Sequence, residues 1–451
     1  MEWKSLLSTQ RLGREENKNV SSNRIRTVFQ QDFDRILFSS AFRRLQNKTQ
    51  VYPFPKSDYV RNRLTHSLET SSVGRTLGNL VGSYVLEKYN ELNDFYTFSD
   101  FGSIVSAACL AHDLGNPPFG HSGEDAISSF FKSEEAQKYL FNLSDIQKAD
   151  LQNFEGNAAG FRIIANTPES KSEIQGGLAL TYATYASFVK YPKGSLPKIS
   201  SIDNASLKKF SYFDAEKEIF ERIATSLNLG KRTIDNHEYY IRYPLALLVE
   251  TADDICYTLI DYEDGFHEGL LSFAEVEDAF LSIVINEWDS FKSQYNKIHD
   301  KTSKINYLRS KAINTLINQS ASVFKDNEEN ILGGSFDKSL LDLVTVNKVV
   351  NYIKKDSYDR IYSCDAVLKI EISGYKALPQ LLSIFIDAVF NEKNNTNKKI
   401  LKLIPDMYLA KGRKNFESDY QKLLNICMYI AGMTDKHAVE LYKQLNGISL
   451  D

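Results

Sequence analysis

Apolar residues recur at three- and four-residue intervals over 64–90, 100–112, 240–262, 271–297, 338–354, 377–391 and 419–446, the pattern of amphipathic helices repeated along most of the chain. Little of the sequence is left for a sheet, so the expected fold is all-α with a few short β-strands. The clearest strand candidate is Val367 to Ile372, where apolar and polar residues partly alternate before Ser373-Gly374. Turn-rich stretches at 141–153, 192–206, 326–337 and 392–399 read as surface loops.

Composition narrows the class. With 42% hydrophobic residues and no apolar run near the ~20 residues that span a bilayer, the expectation is a soluble, unexported, cytoplasmic chain with no membrane partner. Cys109, Cys256, Cys364 and Cys427 are far apart and show no CxxC spacing, which argues against a disulfide framework or a thiolate metal site. A net charge of −4 gives no global basic surface, although Arg43-Arg44 and Lys398-Lys399 form local patches. The length of 451 residues exceeds the usual single-core size.

The chemistry concentrates in CLAHDLGNPPFGHSGEDA, from Cys109 to Ala126. Phe101 to Ala111 is a small, apolar helical stretch suited to burial, and it ends on His112-Asp113. Gly115 can supply a left-handed cap and Pro117-Pro118 cannot continue the helix, so the chain must turn and bring His121 back toward the polar pair. Ser122 stands three residues before Asp125, the spacing of a capping box for a helix starting at Ala126-Ile127.

His112 and Asp113 point about 100° apart on a helix and converge on one ion only over its end. Further ligands must come from elsewhere in the chain. His66 lies on an amphipathic helix with Leu64, Leu68, Val73 and Leu77, and Asp253-Asp254 interrupts another apolar helix. A buried carboxylate needs a cation, so at least one acid of that pair should have one. Each residue alone has a plain structural alternative, a histidine bonded to a carbonyl or an aspartate capping a backbone group. The ordered set is far more specific than its members. His121 and Glu124, three residues apart, make a candidate proton-transfer pair, with helix capping or phosphate binding as the alternative for His121.

The order His66, His112-Asp113, Asp253 resembles the metal-binding pattern of HD-domain phosphohydrolases. The strings FRRLQNKTQVYP, RNRLTHSLE, AHDLGNPPFGHSGEDA, NFEGNAAGFRI, LTYATYASFVKYP and RYPLALLVETADDICYTLIDYEDG together resemble the dGTPase (deoxyguanosine triphosphate triphosphohydrolase) branch, over about Gln31 to Gly265, with an echo at EISGYKALPQLL. In NFEGNAAGFRI, Ala159 stands where that branch often has glutamine. The resemblance implies an HD-domain catalytic core over 55–269, an N-terminal segment 1–54 packing on it and a helical part over 270–451 closing a nucleotide pocket. It implies that His66, His112, Asp113 and Asp253 hold a divalent ion. The sequence alone does not choose between Asp253 and Asp254, but the family places its ligand four residues before a tyrosine, which is Tyr257. Two nitrogens and two oxygens suit Mg or Mn, with Co, Ni or Fe as alternatives, better than a structural zinc site.

The same resemblance gives Arg63 to a phosphate, Gln50 and Val51 to the border of the sugar, and Tyr257 and Asp261 to the sugar itself. Asp261 has a surface ion pair as its alternative. Lys190 and Arg242 are further phosphate or pocket candidates. Glu371, beside Gly374 and Tyr375, falls where the family closes over the base; a solvated strand carboxylate is its alternative reading.

The implied reaction is metal-dependent hydrolysis of a deoxynucleoside triphosphate, preferably dGTP, to deoxynucleoside and inorganic triphosphate, with water attacking the α-phosphorus and His121 and Glu124 moving protons. The alternatives are an HD-type phosphatase acting on nucleoside monophosphates or signalling nucleotides, and a non-catalytic nucleotide-sensing subunit. Family members commonly form homo-oligomers, often hexamers, and respond to nucleotides or single-stranded DNA, so such partners are expected here too.

Overall fold

The computed structural model describes residues 1–15, 26–52, 59–166, 177–198, 205–234, 236–409 and 418–449. The fold is mainly helical. The helices that build the site are α1 (Val28–Leu37), α2 (Arg63–Lys88), α3 (Phe98–Ala111), α4 (His121–Lys132), α5 (Gly156–Ala165), α6 (Tyr182–Phe188), α7 (Pro244–His267), α8 (Lys301–Asp326), α9 (Asn347–Ser357), α10 (Asp365–Phe390), α11 (Asp419–Ala431) and α12 (Asp435–Leu445). Among the described residues the only strands are β1 (Lys231–Ile234) and β2 (His237–Tyr240), an antiparallel pair with Lys231 opposite Tyr240. No described helix is long and apolar enough to cross a membrane.

Helices α2 and α3 pack antiparallel at very short range. The start of α2 is set by Asn62, whose side chain accepts from the Thr65 amide while Thr65 returns a bond to the Asn62 amide. A Cβ added at Gly78 of α2 would lie 2.7 Å from the Phe101 carbonyl oxygen of α3, and one at Gly74 would lie 2.5 Å from Cys109 Sγ. The missing side chains let the two backbones touch, which brings the first turn of α2, with His66, against the last turn of α3, with His112.

Buried apolar side chains form two clusters. One gathers Val81, Phe101, Leu248 and Leu308 from α2, α3, α7 and α8. The other gathers Ile127, Leu381, Leu424 and Leu441 from α4, α10, α11 and α12. The segment after α3 crosses between them, with Leu114 in the first and Phe119 in the second. The histidine-bearing loop is therefore held from both sides.

Several sequence expectations are corrected. Val367 to Ile372 is not a strand but lies inside α10, which runs on through Gly374 and Pro379. Its apparent alternation samples two faces of one helix: Val367, Ile370 and Glu371 line a cavity while Leu368, Ile372 and Tyr375 face outward. Gly374 does not stop the helix; a Cβ there would lie 2.7 Å from the Phe119 ring. Gly115 is not a left-handed cap. A Cβ on it would sit 2.0 Å from both the Gly156 carbonyl oxygen and the Gly160 amide, so the glycine is required by the close passage of α5. Within the loop from His112 to His121 the left-handed residues are Phe119 (φ 66°) and Gly120 (φ 59°). Helix α4 starts at His121 with Gly120 before it, so Ser122 lies inside the helix rather than capping it. Short helices also occupy Asp145–Gln152, Glu328–Gly333 and Asn395–Ile400, where composition reads as loop. The side chains of Ser144 and Asn394 start the first and last of these by accepting amide hydrogens.

Candidate metal and nucleotide site

His66, His112 and Asp253 offer ligand atoms that all lie within 4.8 Å of one another, at the meeting point of α2, α3 and α7. Asp253 Oδ1 is 3.2 Å from His66 Nε2 and 3.4 Å from His112 Nε2. His112 Nδ1 sits 2.6 Å from the Cys109 carbonyl oxygen, which can only accept. That contact requires a proton on Nδ1, so in the neutral ring the Nε2 lone pair faces the other ligands, as a metal-binding imidazole requires. Asp113 stands at the edge of the group. Its Oδ1 is 3.5 Å from His112 Nε2, while Oδ2 accepts from Arg63 Nη1 at 2.8 Å and the Asn116 amide donates to Oδ1.

Asp254, adjacent in sequence, also borders the cavity but is bonded elsewhere. Its Oδ2 meets Lys354 Nζ at 3.1 Å and Ser339 Oγ at 3.4 Å. Two neighbouring carboxylates thus have different partners, one among histidines and the other on a lysine of α9.

The electrostatics fit a cation at the three ligands. Burial by itself would strip His112 of its proton, but the Asp113 and Asp253 carboxylates outweigh it and lift the imidazole to about 9. Partial burial pushes the Asp253 carboxyl up, but His112, His66 and Lys190 outweigh it and hold it well below the ordinary carboxylate range. In the metal-free site His112 is therefore a cation at neutral pH, and an ion must displace its proton to reach Nε2. Affinity for Mn should accordingly rise about tenfold per pH unit as pH approaches 9 from below, beyond any effect of metal hydrolysis. Mn titrations followed by calorimetry between pH 6.5 and 8.5 check this, and a flat dependence would contradict it.

Around the three ligands lies a cavity of about 490 Å³, in the range of small-molecule sites. Gln50, Val51, Arg63, His121, Glu124, Lys190, Tyr257 and Glu371 all line it. Tyr257 stacks on Tyr362, with ring centroids 5.2 Å apart. Asp261 and Arg242 are not brought to the wall. Asp261 is fully buried behind Tyr362, whose hydroxyl donates to its Oδ2 at 2.9 Å. Arg242 is committed to Glu250 and Asp337. Glu250 also stands 3.5 Å from Lys190 Nζ, so Arg242 acts at one remove from the cavity.

His121 is exposed to the cavity, and the surrounding walls, with Lys209 and Arg63 nearby, hold its pKa below the usual imidazole value. Glu124 does not hydrogen-bond to it. Instead Glu124 Oε1 accepts from the Gly156 amide at 2.6 Å, and Oε2 lies 3.7 Å from Lys209 Nζ. Helix geometry places the two residues near each other, but the close passage of α5 claims the carboxylate.

An HD domain model matches residues 63–159. The chain is 42% identical to a deoxyguanosinetriphosphate triphosphohydrolase-like protein of Synechocystis, over the whole of both chains. It is 37% identical to a protein of the same description from Pseudomonas aeruginosa, over 100% of this chain and 99% of that one. The chain belongs to the dGTPase branch of the HD-domain phosphohydrolases. A more distant relative, the deoxyguanosinetriphosphate triphosphohydrolase of Salmonella paratyphi A, is 28% identical over 95% of each chain.

As a dGTPase-family hydrolase the chain draws its HD-matched part of the site from α2 to α5, while Asp253 comes from α7, beyond the matched segment. Lys209, Glu155, Tyr191, Asn116 and Tyr362 also line the cavity and were not singled out in the sequence. Tyr191 follows Lys190 in VKYP and Glu155 lies in the quoted NFEGNAAGFRI, so local signals for these two existed. Lys209, which bridges Glu124 and Glu155 (3.1 Å), sits in a polar stretch with nothing to mark it.

Proposed function

We propose that the protein hydrolyses a deoxynucleoside triphosphate, preferably dGTP, to the deoxynucleoside and inorganic triphosphate, with water attacking the α-phosphorus. The observation that carries this reading is the convergence of His66, His112 and Asp253 beside a cavity that also presents the cations of Arg63, Lys190 and Lys209. A neutral-to-acidic chain offers a triphosphate little attraction elsewhere, and three cations lining one cavity, beside the ion, supply it locally. A divalent ion held by those three residues, with Asp113 beside them, would polarise the phosphoryl group and lower the pKa of a water.

The protein's own side chains divide the remaining work. Arg63, fixed by Asp113, meets a phosphate oxygen; Lys190 is oriented by Glu250 and Lys209 by Glu124 and Glu155. His121 is largely neutral in the free site at neutral pH. The charge of an arriving triphosphate raises its pKa, and the protonated ring then gives its proton to the departing 5′-oxygen. Gln50, Val51 and Tyr257 bound the deoxyribose, and Glu371 of α10 accepts from the donor edge of guanine. Homo-oligomerisation and a nucleotide or single-stranded DNA effector belong to the same reading.

The four dNTPs assayed with Mg and with Mn test it. Metal-dependent release of tripolyphosphate, fastest with dGTP, is expected. Orthophosphate or pyrophosphate as the only inorganic product would overturn the reading.

A further inference from the structure

The loop from His112 to His121 is tied to the far C-terminal helices by two buried charged side chains. Asp435, in the first turn of α12 and 5% exposed, accepts two backbone amide hydrogens, one per oxygen: Phe119 at 2.9 Å and Thr49 at 2.8 Å. Phe119 precedes Gly120 and His121 and holds a left-handed backbone, a conformation that the surroundings must enforce in a residue with a Cβ. Thr49 precedes Gln50 and Val51, which line the same cavity. A single carboxylate therefore joins two backbone segments that line the cavity.

Lys48 completes the tie. Its side chain, 2% exposed, donates to the Asn116 carbonyl at 2.5 Å and to the Ala431 carbonyl at 2.6 Å. Ala431 ends α11, where backbone carbonyls lack helical partners and favour a cation. The Lys48 carbonyl in turn accepts the amide of Arg63, the first residue of α2. Asn116 lies on the same loop and donates to Asp113. Three parts of the site, the start of α2, the histidine loop and the Gln50–Val51 wall, thus share one attachment to the junction of α11 and α12.

We propose that Asp435 and Lys48 form a clamp through which the C-terminal helix pair sets the distance between the His121 loop and the Gln50–Val51 wall, making both of them positioning residues for the reaction. Neither lines the cavity, so each acts through the backbone it holds. Asp435→Asn keeps the size of the side chain but lacks the charge that binds two amides, and its amide end presents a donor to a donor. Lys48→Met keeps the apolar stem and removes both bonds to carbonyls.

Two readouts decide. Deuterium uptake is followed in peptides covering 46–52 and 113–121, and kcat is taken per Mn-binding molecule, so that unfolded protein does not count. Both variants are expected to take up deuterium at least fivefold faster in the 113–121 peptide, and Asp435→Asn also in the 46–52 peptide. The amides within α12 should stay protected and Mn binding should stay within threefold. The kcat for dGTP should fall at least tenfold. Unchanged uptake in 113–121, or a kcat per Mn-binding molecule within twofold of the parent, would overturn the clamp. The kinetic arm rests on the reaction proposed above, whereas the exchange arm does not. A parent protein inactive on every dNTP would sink that reaction and leave exchange alone to decide the clamp.

Discussion

Asp253→Ala is expected to abolish Mn binding and reduce turnover at least a thousandfold, equivalent to about 4 kcal/mol of lost transition-state stabilisation. The size follows from its place. Among the described residues, Asp253 Oδ1 is the one carboxylate oxygen within 3.4 Å of both His66 Nε2 and His112 Nε2. Without it the two imidazoles keep only Asp113, whose oxygens are already bonded to Arg63 and Asn116, too little to hold a hard divalent ion. Asp254→Ala is the control built into the sequence. Its partners are Lys354 and Ser339, both chains of the Asp254–Lys354 pair are part exposed, and such pairs contribute about 0–1 kcal/mol. Near-parental Mn binding and turnover are expected for that variant. Metal content of the two purified proteins reads the difference directly, and equal loss in both would place the ligand wrongly.

His121→Ala carries the second large effect, a fall in kcat of about 10²- to 10⁴-fold with Mn binding retained. His121 opens onto the cavity and belongs to none of the three converging ligands, so its removal should leave the ion in place. The pH profile separates proton transfer from simple phosphate binding. If the ring donates to the departing oxygen, kcat of the parent falls as pH rises through the pKa of His121 in the substrate complex, and that alkaline limb disappears in the variant. A raised KM with unchanged kcat would instead assign His121 to binding alone.

Helices with one buried face were legible because that burial imposes a period, as with Val350 and Ile353 in α9 and Ala438 and Leu441 in α12, whereas α3, buried on every side, was legible as an apolar run. The dGTPase-branch resemblance was legible for another reason: its motifs put chemistry-bearing residues in runs such as AHDLGNPPFGH. What escaped was set by partners far along the chain. Val367 to Ile372 reads as a strand until α10 is seen to place one face on the cavity and the other in solvent. Gly115 reads as a helix cap until Gly156 and Gly160 are found against it. Asp253 and Asp254 are alike in periodicity, and only the family register before Tyr257 singled out Asp253; the physical difference is the histidines beside one and Lys354 beside the other. Lys48 and Asp435 look like ordinary surface charges in sequence; their partners lie more than 300 residues away in Ala431 and Phe119.

Hydrolysis of dGTP in ¹⁸O-water, with the products resolved by ³¹P NMR and mass spectrometry, tests the proposed reaction most directly. Attack at the α-phosphorus with departure of the 5′-oxygen puts one ¹⁸O into inorganic tripolyphosphate and none into deoxyguanosine. Label in the nucleoside hydroxyl, or in orthophosphate or pyrophosphate with no tripolyphosphate formed, would contradict it.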